Sequence, residues 1–328
     1  MGVSVIIPVR DGGAPFQRCL AALAAAAPPP LEVIVVDDGS RDDSPRWAAA
    51  AGARVLTTPR PGSGPAVARN LGARGAAGDV LFFCDADVEI RPETIGRLQA
   101  ALAADPALAA LFGSYDDAPG DPGFLSQYKN LLHHYVHQQA AEQAGTFWSG
   151  CGAIRRAVFL EHGGFPESYR FPSIEDIALG VALTAAGRRI RLDKGLQVKH
   201  LKRWTLAGLL HSDILARGVP WTRLILQTGR MPNDLNLRTA SRLSVGLVYL
   251  ALLALAAGAV WPPAWLAAGL AAALLAWLNR DVYAFFWRRR GPLFTVGAMG
   301  MHALYYGYNG LALALGLLLH LRDRARAA

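Results

Sequence analysis

Three stretches near the N-terminus, Val3–Val9, 31–37 and Val80–Cys84, are apolar at almost every position. A strand with one wet face alternates apolar and polar residues, whereas a run apolar on both faces belongs inside a sheet covered on both sides. Between these runs lie Ala-rich segments of helical composition at 16–26, 43–51 and 65–76, and a short β-branched run at Arg54–Thr57. Pro28-Pro29-Pro30 stops the first helix and Gly78 follows the last. Strand and helix in alternation predict an α/β fold, a mostly parallel sheet between two helical layers.

Sheets of this kind bind ligands outside the carboxyl ends of their strands. Each of the three long runs ends in polar residues: Arg10-Asp11, Asp37-Asp38-Gly39-Ser40 and Asp85-Ala86-Asp87. Any one of them is an ordinary turn former. Together on one rim they form a candidate site. Asp85 and Asp87, one residue apart at a strand tip, offer the oxygen ligands that Mg²⁺ or Mn²⁺ prefers, and such an ion can bridge to a substrate diphosphate.

The chain has 328 residues, a formal net charge of +8 and 52% hydrophobic residues. Basic and apolar together point to a membrane surface or an anionic substrate. No basic helix with interleaved base-reading polar residues is present, so nucleic acid is not an expected partner. Cys19, Cys84 and Cys151 are too few and too far apart for a zinc pattern or a disulfide framework, which suggests a reducing compartment. Met1-Gly2-Val3-Ser4 runs straight into the first strand, without the regions of a signal peptide.

Near residue 240 the composition changes, and the expected domains are 1–200, 201–239 and 240–328. Spans are expected at about 243–260, 264–279 and 293–320. The first two form a helical hairpin around Trp261-Pro262-Pro263, flanked by Arg238, Arg242, Arg280, Arg288, Arg289 and Arg290. These arginines put both ends of the hairpin in the cytoplasm and make the chain an integral protein of the inner or plasma membrane. The third stretch conflicts with that rule, because a single span would export Arg322, Arg324 and Arg326; a bend or re-entry near 307–310 is the alternative. Residues 201–229 mix Trp204, Leu209, Trp221 and Leu224 with Lys202, Arg217 and Arg223, as interfacial helices with a break at Pro220 would. His133 and His137 share a helix face, but no third ligand accompanies them, so a polar face is the reading adopted.

Val3-Ser4-Val5-Ile6-Ile7-Pro8-Val9, Val33-Ile34-Val35-Val36-Asp37-Asp38-Gly39-Ser40, Ala68-Arg69-Asn70, Asp85-Ala86-Asp87, Trp148-Ser149-Gly150-Cys151-Gly152 and Glu175-Asp176 stand in an order and spacing that resemble glycosyltransferase family 2 over roughly residues 3–225. The resemblance implies a Rossmann-like nucleotide-sugar domain of the GT-A fold, here in a membrane-anchored member. It implies that Pro8, Asp11, Asp38, Arg69, Asp85 and Gly150 line the donor. Asp38 can accept the imide N–H of uracil, with Asp11 on base or ribose, although either carboxylate is equally a turn residue or helix cap. Arg69 suits a diphosphate. Asp85 is expected on ribose or in the metal's water shell, Asp87 on the metal, and His200 as a further ligand. Asp176 is the implied general base, with Glu175 orienting it or the acceptor.

One motif departs from the family. Processive members carry Gln-x-x-Arg-Trp on an interfacial helix, whereas this chain reads Asp213-Ile214-Leu215-Ala216-Arg217-Gly218-Val219-Pro220-Trp221. A polymer-translocating channel is not expected, and Arg217 is left as a candidate for the diphosphate. The expected activity is metal-dependent, inverting transfer of a sugar from a UDP-linked donor to a hydroxyl of a membrane lipid or lipid-linked glycan. A polyprenyl-phosphate acceptor and a non-catalytic scaffold that binds nucleotide sugar are the rival readings.

Overall fold

The computed structural model describes residues 1–231 and 234–327. The chain divides into two units, Met1–Arg203 and Trp204–Ala328. The first unit is built on eight strands: β1 (Val3–Val9), β2 (Glu32–Asp37), β3 (Arg54–Thr57), β4 (Val80–Cys84), β5 (Val88–Glu89), β6 (Leu108–Tyr115), β7 (Cys151–Arg155) and β8 (Arg189–His200). Their spatial order is β3-β2-β1-β4-β7-β6-β8-β5.

The first four strands are mutually parallel, as continuous apolar runs require. Val5, Ile6, Ile7, Val35, Phe82 and Phe83 have no exposed surface, so neighbours in one strand are buried on opposite faces. Each such side chain contributes about 1.5–3 kcal/mol relative to exposure. Beyond β4 the sheet is mixed. β7 is antiparallel to both β4 and β6, and β5 is antiparallel to β8. This reversal brings the N-terminal end of β7 and the C-terminal end of β8 to the rim where β1, β2 and β4 finish. The helix Pro65–Gly75 lies close on the sheet at Gly72, where a Cβ would stand 2.6 Å from the Ile6 Cγ2. That close approach aims the helix's Arg69 at the end of β4.

The second unit is helical. Leu206–Leu210, His211–Gly218 and Val219–Thr228 make one continuous run, the middle part in the wider π-helical form. The expected break at Pro220 is absent. Proline removes one N–H from the ladder, and the π-helical turns before it take up the mismatch, with the Thr222 hydroxyl donating to the Gly218 carbonyl at 2.8 Å. Thr239–Gly258 and Ala264–Leu278 follow, joined through Trp261-Pro262-Pro263. The last helical stretch, Arg280–Ala327, is interrupted at Gly291 (φ 81°, ψ −179°) and not near 307–310, the place of the alternative bend. Only glycine adopts that conformation without strain, and Pro292 behind it starts the next helix with a suitable φ. Among the described residues, two helices are long and apolar enough to cross a membrane, Thr239–Gly258 and Arg280–Arg326. A buried polar chain ties these helices together: Asn279 donates to Ser244 Oγ (3.0 Å), and the Tyr306 hydroxyl donates to Asn279 Oδ1 (2.8 Å).

Candidate active site

The rim at the ends of β1, β2 and β4 holds three groups of carboxylates in different surroundings. At the β1–β2 end they brace loops. Asp11 Oδ1 accepts the Arg41 N–H at 2.6 Å, and Asp37 Oδ1 accepts that of Ser40 at 3.0 Å. Asp38 accepts three hydrogen bonds, from the Thr58 hydroxyl (2.8 Å), the Ser63 N–H (2.8 Å) and the Gly64 N–H (2.9 Å). Pro8 lies within β1 beside Val36 of β2.

The second group is a buried ion cluster. Arg69, 5% exposed, donates through Nη2 to Asp85 Oδ1 at 2.7 Å and through Nη1 to Glu175 Oε1 at 2.8 Å. Burial alone would lower the guanidinium pKa. The carboxylates of Asp85, Glu175 and Asp176 outweigh it and hold the pKa above its ordinary value. Glu175 is itself buried, and its other oxygen accepts the Ser173 N–H at 2.9 Å. Both terminal nitrogens of Arg69 are thus turned to protein carboxylates, and Asp85 is turned to Arg69.

The third group lies where the mixed half of the sheet meets β4. The β5–β8 pairing sets Val88 opposite His200. This brings the His200 Nε2 to 3.5 Å from Asp87 Oδ2. The other ring nitrogen, Nδ1, lies 2.6 Å from Asn130 Oδ1, on the helix Phe124–Gln139. An amide oxygen only accepts, so Nδ1 carries a proton, and Nε2 is the ring nitrogen that faces Asp87. The ring is also stacked on Tyr115, with centroids 4.1 Å apart and planes 9° from parallel. Burial would raise the Asp87 pKa, but His200 and then Lys202 bring it below the ordinary carboxylate range. One carboxylate and one imidazole nitrogen suit Mn²⁺ or Mg²⁺. Among the described residues no three His, Cys, Asp or Glu side chains are grouped closely enough to hold a metal by themselves. An ion on Asp87 and His200 would therefore fill its remaining positions with substrate phosphate and water, the usual arrangement for such sites.

Asp176 completes the rim from the first turn of the helix Glu175–Ala185. Its Oδ2 accepts from both the N–H (2.9 Å) and the hydroxyl (3.0 Å) of Ser149, and its Oδ1 from the Ile177 N–H (2.8 Å). The next residue, Gly150, accepts the Asp85 N–H through its carbonyl at 3.4 Å. The Trp148-Ser149-Gly150 segment thus links the Asp85-Ala86-Asp87 tip to the Asp176 carboxylate. Arg217 belongs to the second unit, where it is exposed on the π-helical segment His211–Gly218.

Sequence reasoning passed over Asn130, and it gave Ser149 no role of its own. Asn130 gives no signal in a single sequence, because its partner His200 is 70 residues away. Ser149 stood inside a motif that had already been singled out.

A doubly wound sheet with a mixed second half, a carboxylate pair at the tip of β4 and a carboxylate-led helix facing it define a nucleotide-sugar domain of the GT-A type. Residues 4–163 match the model of glycosyl transferase family 2. Solved structures show the same fold. The mannosyltransferase PcManGT from Pyrobaculum calidifontis, in complex with GDP-Man and Mn²⁺, aligns with a TM-score of 0.59 at 22% identity over 98% of this chain and 87% of its own. TarS from S. aureus in complex with UDP aligns at 0.50 and 20% identity over 69% of this chain, which spans 64% of the TarS chain. GalNAc-T7 with UDP, GalNAc and Mn²⁺ aligns at 0.52 and 18% identity, over 69% of this chain and 48% of its own. No curated protein sequence matches the chain.

Proposed function

We propose that this family 2 enzyme moves a sugar from a nucleoside diphosphate, UDP in the first instance, to a hydroxyl of a membrane lipid or lipid-linked glycan, inverting the anomeric carbon. The observation that carries this reading is the meeting of two carboxylate sets on one rim: Asp85 and Asp87 at the tip of β4, and Asp176 held on Ser149. Asp176 takes the proton of the acceptor hydroxyl as that oxygen attacks the sugar opposite the diphosphate. Its position in the first helical turn favours its negative charge, and Ser149 fixes the carboxylate plane. Arg69 holds Asp85 and Glu175 in register behind it. Asp11 and Asp38 shape the loops that receive the nucleoside. Asp87 and His200 would hold Mn²⁺ or Mg²⁺, which when bound neutralises the charge of the departing diphosphate.

The lipid side of the proposal rests on the second unit. Leu253, Trp261 and Leu266 are 69%, 64% and 79% exposed. Apolar surface of this extent needs a cover, and a bilayer supplies it. The arginines around the hairpin place its ends, and with them the catalytic unit, on the cytoplasmic side. Fully buried free thiols at Cys19, Cys84 and Cys151 accord with that compartment.

A polyprenyl-phosphate acceptor is the second reading, favoured by the hydrogen bonds that Asp176 accepts from Ser149 and Ile177. Hydrogen bonds to the charged form lower a carboxylate's basicity, and a phosphate acceptor needs no base. The test of the main reading is a donor panel incubated with the detergent-solubilised enzyme and total membrane lipids, with EDTA or Mn²⁺, and read by mass spectrometry. A new hexosyl-lipid that appears only with the cation is expected. Binding of nucleotide sugar with no transfer to any lipid would leave only a scaffold. Full activity on a water-soluble acceptor after removal of residues 240–328 would defeat the lipid acceptor.

A further inference from the structure

The helix Phe124–Gln139 carries Asn130, His133, His134 and His137 at spacings of three and four residues, which sets them on one face. Asn130, His134 and His137 are buried, so this face is turned to the sheet and is not the solvated polar face expected for His133 and His137. The Nδ1 of His134 lies 2.7 Å from the Tyr115 carbonyl and that of His137 3.1 Å from the Gly113 carbonyl, so both rings donate to β6. His133 packs by its ring, with centroid distances of 4.4 Å to Tyr115, 4.0 Å to His137 and 4.9 Å to Trp148. The histidine pair is thus part of an aromatic cluster.

Trp148 joins that cluster to the site. Its ring meets Tyr115 edge to face at 4.8 Å and His137 edge to face at 5.6 Å. It also lies on the chain itself: a Cβ on Gly150 would stand 2.5 Å from the Trp148 Cζ2, so a glycine there leaves room for the indole. Each of these neighbours supports a group of the site. Tyr115 is stacked on His200. Ser149, next in the chain, donates to Asp176 through its N–H and its hydroxyl. Gly150 accepts the Asp85 N–H.

We propose that Trp148 is a positioning residue that holds the cation site and the base in one frame. Through Tyr115 it keeps the His200 ring turned to Asp87. Through Ser149 and Gly150 it keeps the Asp176 carboxylate and the Asp85-Ala86-Asp87 tip in place. The proposal rests on the reading of Asp87 and His200 as the cation site and of Asp176 as the base, and it deepens that reading by naming what couples them. Groups that orient a metal-ligating histidine govern cation affinity. Displacing a reacting group by about 1 Å costs about 10²-fold in rate. A side chain on which both depend therefore acts on cation affinity and on turnover together.

The test uses full-length protein in detergent. Mn²⁺ affinity is read by electron paramagnetic resonance with UDP present, and turnover with saturating Mn²⁺ on total membrane lipids. Tyr115→Leu, which removes the stack on His200, should weaken Mn²⁺ binding about tenfold. Ser149→Ala, which removes one hydrogen bond to Asp176, should lower turnover about tenfold and leave Mn²⁺ affinity unchanged. Trp148→Leu should do both at once. Trp148→Phe, which keeps a ring against Tyr115, should restore both. A lower melting temperature in Trp148→Leu with Mn²⁺ affinity and saturated turnover at wild-type values would make Trp148 a packing residue and overturn the proposal. Loss of only one of the two would overturn the coupling. Should Trp148→Leu fail to fold, His133→Leu, which removes one wall of the indole's surroundings, carries the same test, and both readouts should fall together. Wild-type protein that binds Mn²⁺ no more tightly than Asp87→Asn, or transfers no sugar, would instead overturn the reading of the site, and this inference with it.

Discussion

The two halves of the sheet treat acidic residues differently. In the parallel half, Asp11, Asp37 and Asp38 accept mainly from main-chain N–H groups of nearby loops, at sequence separations of 30, 3, 25 and 26. Where the mixed half meets β4, Asp85 and Glu175 are held by the Arg69 side chain, 16 and 106 residues away, and Asp87 stands beside the His200 ring. A carboxylate saturated by main-chain donors fixes the shape of a loop. One held by another side chain can exchange that partner for substrate or ion. The chemistry is therefore expected on the side of β4 that faces β7, with recognition of the nucleoside on the other.

Asp176→Asn is the strongest test of that division. With a hydroxyl acceptor, turnover should fall about 10²–10⁴-fold, with an unchanged melting temperature and unchanged UDP affinity. Turnover close to wild type would move the reading to a phosphate acceptor. Arg69→Met comes next, and its effect is on stability. It strands the buried Glu175, and losing one partner of a buried ion pair costs about 3–5 kcal/mol. Arg97→Met, which unpairs the half-exposed Arg97 from Asp193, should cost about 1 kcal/mol or less in the same denaturant titration. Equal losses in the two variants would erase the distinction between the cluster and the surface.

Much of the parallel half was legible in the sequence, because its signals are local. Runs apolar on both faces specify buried strands, and Asp85-Ala86-Asp87 directly follows one of them. Asp176 was legible as a candidate because it opens a helix. What it touches was not legible, since Ser149 reaches it only through the antiparallel turn of β7 against β4. The break at Gly291 escaped notice for a different reason. A lone glycine before proline inside an arginine-flanked segment resembles any loop, whereas the glycines at 307 and 310, which drew attention, sit in continuous helix at contacts with Val248 and Tyr249.

Asn130 offers a way to sharpen the comparison where the site is least visible in sequence. Asn130→Ala should weaken Mn²⁺ binding about 10–100-fold, the usual cost of losing a group that orients a metal-ligating histidine. Electron paramagnetic resonance titration with UDP present measures this without turnover. Asn130→Asp keeps an acceptor for Nδ1 and should retain wild-type affinity. Loss in both variants, or in neither, would remove Asn130 from the site. Asp38→Ala should do the reverse. It strands the Ser63 and Gly64 N–H groups, loosens the 58–64 loop, and raises the donor KM while leaving kcat and Mn²⁺ affinity unchanged. Relaxed discrimination between uridine and cytidine donors in that variant would instead put the carboxylate on the base.

The smallest expected effect is a pH dependence away from the site. Burial would raise the Asp193 pKa, but the hydrogen bond and charge of Arg97 outweigh it and keep the pKa below its ordinary value. A carboxylate depressed in the folded state contributes stability that is complete above its unfolded pKa, about 3.9, and is lost as pH falls through the folded value. The stability difference between wild type and Arg97→Gln should therefore be constant at neutral pH and close progressively below about pH 4. Asp87 has the same sign, with His200 in place of Arg97. Asp87→Asn should remove its share of the acid slope without changing the closure attributed to Arg97. If the two slopes fail to add, the strand-end carboxylate and the surface pair are coupled through β8, and the site would extend further along that strand than its side-chain contacts indicate.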